Sequence, residues 1–189
     1  MTELLGLTPS ATVGPFLTLG LSWPDGAELV ESTIPGAITI SGTLFDGAAV
    51  VVPDGLIETW QADPAGRFDH PDDPRGASRY PGFRGFGRSA TDANGRFWLR
   101  TLKPGPLPAA DGRTEAPHLN VSVFARGMLN RVITRIYFPD EQLANSLDPV
   151  LEMLDEQDRS RLVAMPTGPA RLTFDLRLQG DGQTPFFRL

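Results

Sequence analysis

The sequence predicts an all-β fold, a sandwich or a barrel, and three observations carry that expectation. Glycine (20) and proline (18) make up about a fifth of the 189 residues, which implies many turns between short elements. Segments of alternating polar and apolar residues recur at short spacing, bounded by turn signals. Helix-start signals appear only near the C-terminus. The length suits one well-cored domain, so residues 1–189 are expected to form a single domain, with an N-terminal arm over 1–36 and the strand-built core over 37–189.

The elements follow in order. Residues 1–36 are loop-like, with Pro9, Pro15, Pro24, Gly26 and Pro35 interrupting any periodicity. Residues 37–45 (AITISGTLF) alternate and are rich in β-branched side chains, and Asp46-Gly47 follows as a tight turn. Residues 55–62 read as a strand with Leu56, Glu58 and Trp60 on one face and Ile57 and Thr59 on the other. A glycine-, proline- and arginine-rich stretch then runs over 63–90, a length without periodicity that is uncommon unless functional. After Asn94-Gly95 comes a strand over 96–102, then 118–125 and 131–138 as the two arms of a hairpin. Asp148-Pro149 is an N-cap with proline at the first helical position, leading into short helices over 150–154 and 157–164. Residues 170–179 (ARLTFDLRLQ) alternate again as a last strand.

Composition excludes several classes of function. There is no cysteine, hence no disulfide, thiolate metal site or cysteine nucleophile. The net charge of −6, with no basic cluster, argues against a nucleic-acid partner. No run approaches the roughly 20 apolar residues of a membrane span, and Met1-Thr2-Glu3-Leu4-Leu5 lacks the features of a secretion signal. A cytoplasmic location is the expectation. An anionic small substrate fits only where a local arginine offsets the general field.

The ordered set of short motifs resembles the intradiol ring-cleavage dioxygenase family over almost the whole chain. It begins with Ile40-Ser41-Gly42-Thr43-Leu44-Phe45 and Pro53-Asp54-Gly55, then Glu58-Thr59-Trp60-Gln61-Ala62-Asp63 and Gly66-Arg67-Phe68. It continues with Gly87-Arg88, Gly95-Arg96-Phe97-Trp98, Lys103-Pro104-Gly105-Pro106, Ala116-Pro117-His118, Val123-Phe124-Ala125-Arg126-Gly127 and Arg135-Ile136-Tyr137-Phe138. The resemblance implies a two-sheet β-sandwich of the intradiol type, with long loops and short helices near the C-terminus. Trp60, Tyr137 and Phe174 are expected to fill its core.

Members of that family hold a non-haem Fe(III) with two tyrosinates and two histidines, the histidines at i and i+2 on one strand. This chain has only His70 and His118, and only Tyr80 and Tyr137. The matching strand reads His118-Leu119-Asn120, which puts Asn120, a poor iron ligand, at the second histidine position. The position of one family tyrosine is Leu107, and counting from Gly66 puts Arg75 at the other. Tyr137 resembles a structural tyrosine of the family. His118 is expected to be a hydrogen-bonded relic, and His70, in Asp69-His70-Pro71-Asp72-Asp73, a solvated loop residue. No metal is expected in this chain.

Within the family, that defect resembles the α subunits of its two-subunit members, whose β partners carry the iron. The opening and closing segments, Thr8-Pro9-Ser10-Ala11-Thr12-Val13-Gly14-Pro15-Phe16 and Gln183-Thr184-Pro185-Phe186-Phe187, fit the same pattern. The resemblance implies a hetero-oligomer with an iron-bearing β subunit, cleaving protocatechuate with O2 to 3-carboxy-cis,cis-muconate. It implies that Thr12, Gly14 and Pro15 of the arm and Arg126 of the hairpin line the substrate pocket, with no acid or base from this chain. Protocatechuate is a carboxylated catechol, and a guanidinium is the natural partner of its carboxylate. A subunit interface further implies an exposed apolar patch on the isolated chain. Two other readings remain open: a stand-alone catalyst with an unusual ligand set, and a non-catalytic β-sandwich binding or assembly module of the same ancestry.

Overall fold

The computed structural model describes residues 9–14 and 17–188. In chain order the elements are α1 (Leu17–Leu21), β1 (Ala37–Phe45), β2 (Leu56–Trp60), β3 (Phe86–Ala90), β4 (Arg96–Leu102), β5 (Leu107–Pro108), β6 (Thr114–Glu115), β7 (His118–Phe124), β8 (Val132–Tyr137), α2 (Gln142–Leu147), α3 (Pro149–Glu152), α4 (Glu156–Arg161), β9 (Met165–Gly168), β10 (Arg171–Thr173) and β11 (Leu176–Arg177).

Two sheets form the sandwich. In one, β1 runs between β4, antiparallel to it, and the parallel pair β10 and β11, with β9 beyond β10. The other is antiparallel, in the order β3-β2-β7-β8. The core lies between them, where alternation sends Ile40 and Leu44 of β1 and Phe97 of β4 against Ile57, Leu119, Val121, Val123 and Ile136 of the facing sheet. The alternation of 37–45 appears directly as burial of Ile40, Gly42 and Leu44. Gly42 has no alternative, because a Cβ there would lie 1.8 Å from the Phe174 carbonyl oxygen. Gln61, fully buried at the end of β2, ties the sheets together: its Oε1 accepts from Thr101 Oγ1 at 2.7 Å and its Nε2 donates to the Leu102 carbonyl at 2.9 Å.

The outer face of β7 and β8 is covered at one end by α2–α4 and the β5–β6 hairpin. There Tyr137, Ala116, Leu151 and Leu162 make a second, smaller core. Asp148 caps α3, accepting from the backbone N–H groups of Val150 and Leu151 at 2.9 Å. Among the three expected core aromatics, Phe174 is in the inter-sheet core and Tyr137 lies under the helices. Trp60 corrects the expectation: it projects from the outer face of β2 and stacks on Phe68, ring centroids 5.6 Å apart. The last strand is two strands. Asp175, between β10 and β11, turns its carboxylate to accept the Thr43 N–H at 2.9 Å while Phe174 enters the core. Leu129, Leu143, Leu147 and Met153 are large apolar side chains exposed to solvent.

Candidate functional site

Two regions hold the candidate residues. The first is the edge where the arm meets the β7–β8 hairpin. Thr12 Oγ1 accepts the Gly127 N–H at 2.8 Å, which sets the arm against the turn that carries Arg126. Gly127 has φ of 82° and so occupies the left-handed region that a glycine enters without strain. Ser10 adds a contact from its hydroxyl to Asn130 Oδ1. Gly14 is exposed, a Cβ there would meet nothing within 4 Å, and its carbonyl accepts the Leu17 N–H at 3.1 Å. Arg126 is 59% exposed and pairs with Asp54, which precedes β2. Between arm and hairpin lies an open cavity of about 720 Å³, lined by Val13, Phe124, Leu129 and Phe187 among others. The structure thus brings Thr12 and Arg126 to one edge, with Gly14 two residues along; Pro15, like residues 1–8, lies outside the described residues.

The second region is the outer face of β7 and β8. Strand register places His118 opposite Tyr137, and Asn120 opposite Arg135 and Trp60. His118 is 2% exposed. Its Nδ1 is 2.7 Å from the Ala116 carbonyl, an acceptor, so Nδ1 carries the proton and Nε2 presents a lone pair. That Nε2 is buried with no hydrogen-bond partner, 3.6 Å from Glu115 Oε2. The Arg135 guanidinium reaches Glu115 Oε2 at 3.0 Å, Asn120 Oδ1 at 3.2 Å and Tyr137 Oη at 3.3 Å. Tyr137 donates to Asp148 Oδ1 at 3.1 Å, and Asp148 also accepts the Ala116 N–H at 2.7 Å.

A ferric ion does not fit this donor set. Burial pushes the Tyr137 phenol well above its ordinary range, and its hydroxyl is already committed, donating to Asp148 Oδ1 and accepting from Arg135. The Asn120 oxygen is taken by Arg135, and Leu107 on β5 offers a hydrocarbon side chain. A fixed positive charge already stands among the remaining oxygens. Among the described residues, no group of three or more His, Asp or Glu side chains is placed to hold a metal.

Burial, and then the charge of Arg135, pull the His118 imidazole down to about 4. The unfolded chain binds that proton near pH 6.5, so stability conferred by neutral His118 is complete above pH 6.5 and falls as the pH drops toward 4. Between pH 7 and pH 5 this group is expected to cost about 2 kcal/mol. His118→Gln, which cannot titrate, should show a correspondingly smaller loss when urea unfolding is compared at the two pH values. Parallel losses would contradict it.

The stretch over 63–90 carries several structural contacts. Asp63, fully buried, accepts the N–H groups of Ala65 and Arg67 and the Ser78 hydroxyl. Asp73 corrects the reading of solvated loop charges: its side chain is 2% exposed and takes a two-pronged contact from Arg75, at 2.9 and 2.7 Å, which holds its carboxyl well below the usual range. Arg84 donates to the Asp25 and Glu28 carbonyls. Arg88 pairs with Glu58, donates to the Leu21 carbonyl at 2.7 Å and lies 4.5 Å over the Trp23 ring, pinning the segment after α1 onto β3. His70 packs edge-on against Trp60, beside a cavity of about 490 Å³.

Comparison with known proteins agrees with this architecture. The family model described as Dioxygenase (Dioxygenase_C) matches residues 25–180. The chain is 42% identical over 194 residues to the protocatechuate 3,4-dioxygenase alpha chain of Burkholderia cepacia, covering 95% of this chain and 96% of that one. It is 34% identical to the beta chain from the same organism, over 80% of this chain and 68% of that one. The dioxygenase domain of a dioxygenase and carbohydrate-binding fusion from Streptomyces sp. SirexAA-E superposes with a TM-score of 0.59 at 29% identity, over 92% of this chain and 99% of that one. No helix among the described residues is long and apolar enough to cross a membrane. By family model, relatives and fold, the chain belongs to the intradiol ring-cleavage dioxygenases, a family of non-haem iron oxidoreductases with both α and β chains among its members.

Proposed function

We propose that the chain is the α subunit of a protocatechuate 3,4-dioxygenase, one domain over 1–189, working with an iron-bearing β chain. The complex adds both atoms of O2 to protocatechuate and opens the ring between its hydroxylated carbons, giving 3-carboxy-cis,cis-muconate in aromatic catabolism. One observation carries the reading: the chain matches an α chain over 95% of its length while its own histidine–tyrosine pocket is closed around a guanidinium. Chemistry at iron then belongs to the partner, and this chain binds and orients.

The arm–hairpin edge supports that role. The Thr12–Gly127 hydrogen bond holds the arm beside Arg126, so backbone at Gly14 can approach a flat ring with no side-chain bulk. Arg126 presents five N–H donors; Asp54 anchors the head from one side, and the remaining donors suit the substrate carboxylate. Held this way, the ring is oriented for a reaction whose rate depends on positioning.

Oxygen-electrode assays of this chain alone, the β chain alone and the two co-expressed test the proposal. Protocatechuate-dependent uptake is expected in the complex only. Failure in every combination would instead favour a non-catalytic sandwich module.

A further inference from the structure

We infer that the Arg135 guanidinium is the resident cation of the outer-face pocket, and that this tethered charge is what closes the pocket to metal ions. Three oxygens from three strands surround the head: Glu115 Oε2 on β6, Asn120 Oδ1 on β7 and Tyr137 Oη on β8, at 3.0, 3.2 and 3.3 Å. This is the arrangement a pocket gives to a cation, with one carboxylate for charge and neutral oxygens for the remaining donors. Arg135 and Glu115 are each only 18% exposed at the side chain, so the pair is largely withdrawn from solvent. A buried carboxylate needs a compensating charge, and Arg135 supplies it without any bound ion.

His118 adds an independent observation. Its Nε2 lone pair is buried, unpartnered and 3.6 Å from Glu115 Oε2. An imidazole nitrogen and a carboxylate at that separation are two ligands of the kind that zinc and cobalt(II) take. The Ala116 carbonyl on Nδ1 fixes the tautomer that leaves Nε2 available, as a ligand-supporting partner does in metal sites. The pocket is therefore a latent divalent site, and the guanidinium is the element that excludes the ion. A unit positive charge held a few ångströms away opposes a doubly charged ion strongly at any effective dielectric suited to a protein interior.

The inference concerns this chain's own residues and does not rest on the proposed partner, so the assay of the complex and the titrations below fail independently. The full chain is titrated with Co(II), read by its ligand-field absorption, as wild type, Arg135→Gln, Arg135→Lys and Arg135→Gln/His118→Ala. Wild type and Arg135→Lys should stay silent. Arg135→Gln should bind Co(II) on the order of a hundredfold more tightly than wild type, and the added His118→Ala should abolish the signal. A folded Arg135→Gln that takes no Co(II), or Co(II) binding by the wild type as tight as that of Arg135→Gln, overturns the inference. Should Arg135→Gln not fold, imidazole ¹⁵N resonances of the wild type decide the matter, since only two histidines must be told apart. His118 Nε2 is expected to be unmoved by added Zn(II), and a Zn(II)-induced shift overturns the inference.

Discussion

In the α/β complex, Arg126→Ala is expected to raise the Michaelis constant for protocatechuate by about 10- to 100-fold while leaving that for catechol nearly unchanged. The expectation follows from one charge-assisted contact, whose loss costs about 1.5–3 kcal/mol and which only the carboxylated substrate can make. Arg126 lies in an exposed turn and pairs with Asp54, whose side chain is 25% exposed with Oδ2 buried, so any cost of leaving that carboxylate unpaired falls on both substrates alike. Gly127, whose N–H carries the Thr12 contact, is untouched. An equal rise for both substrates would place Arg126 in the packing of the edge rather than on the carboxylate.

Asp148→Ala is expected to destabilise the chain by about 4 kcal/mol, a large share of the 5–15 kcal/mol that holds a typical domain together. This fully buried carboxylate serves four donors: the N–H groups of Ala116, Val150 and Leu151 and the Tyr137 hydroxyl. Loss of the α3 cap accounts for about 1 kcal/mol. Orphaned buried donors at Ala116 and Tyr137 account for the rest at about 1–3 kcal/mol each. Asp148→Asn keeps an acceptor oxygen and should lose about half as much. Urea unfolding followed by circular dichroism measures both, and a loss below about 1 kcal/mol for Asp148→Ala would mean that water or a shifted helix replaces the carboxylate.

Much of the sandwich was legible because period-two burial is written in the residues. The alternation of 37–45, 96–102 and 118–125 became β1, β4 and β7 with boundaries within a residue. The Asp148-Pro149 cap was legible for the same local reason. Elements whose cause is tertiary were missed. Strand β3, FGRSA, carries no apolar alternation; it is a strand because β2 pairs with it, and Gly87 is needed where a Cβ would stand 2.4 Å from Leu29 Cδ1. Helix α2 has no side-chain cap and no buried residue, so nothing local announces it. The break between β10 and β11 is set by Asp175 reaching Thr43 132 residues away.

The site divides in the same way. Asn120 and Leu107 as poor donors were readable from motif position alone. That Arg135 fills the space was not, because it needs the register that sets Asn120 opposite Arg135 and His118 opposite Tyr137. A signal was present: an arginine inside a mainly apolar strand, two residues before a tyrosine, is a charge that must find a partner. Trp60 was misplaced because a single alternating segment does not say which of its faces meets the other sheet.

The central claim is that this chain completes an iron site it does not itself contain. Iron analysis together with the visible spectrum, on the chain purified alone and on the α/β complex, tests it most directly. The account predicts iron and the burgundy tyrosinate-to-iron charge-transfer band in the complex, and neither in the chain alone. Stoichiometric iron with that colour in the isolated chain would contradict it.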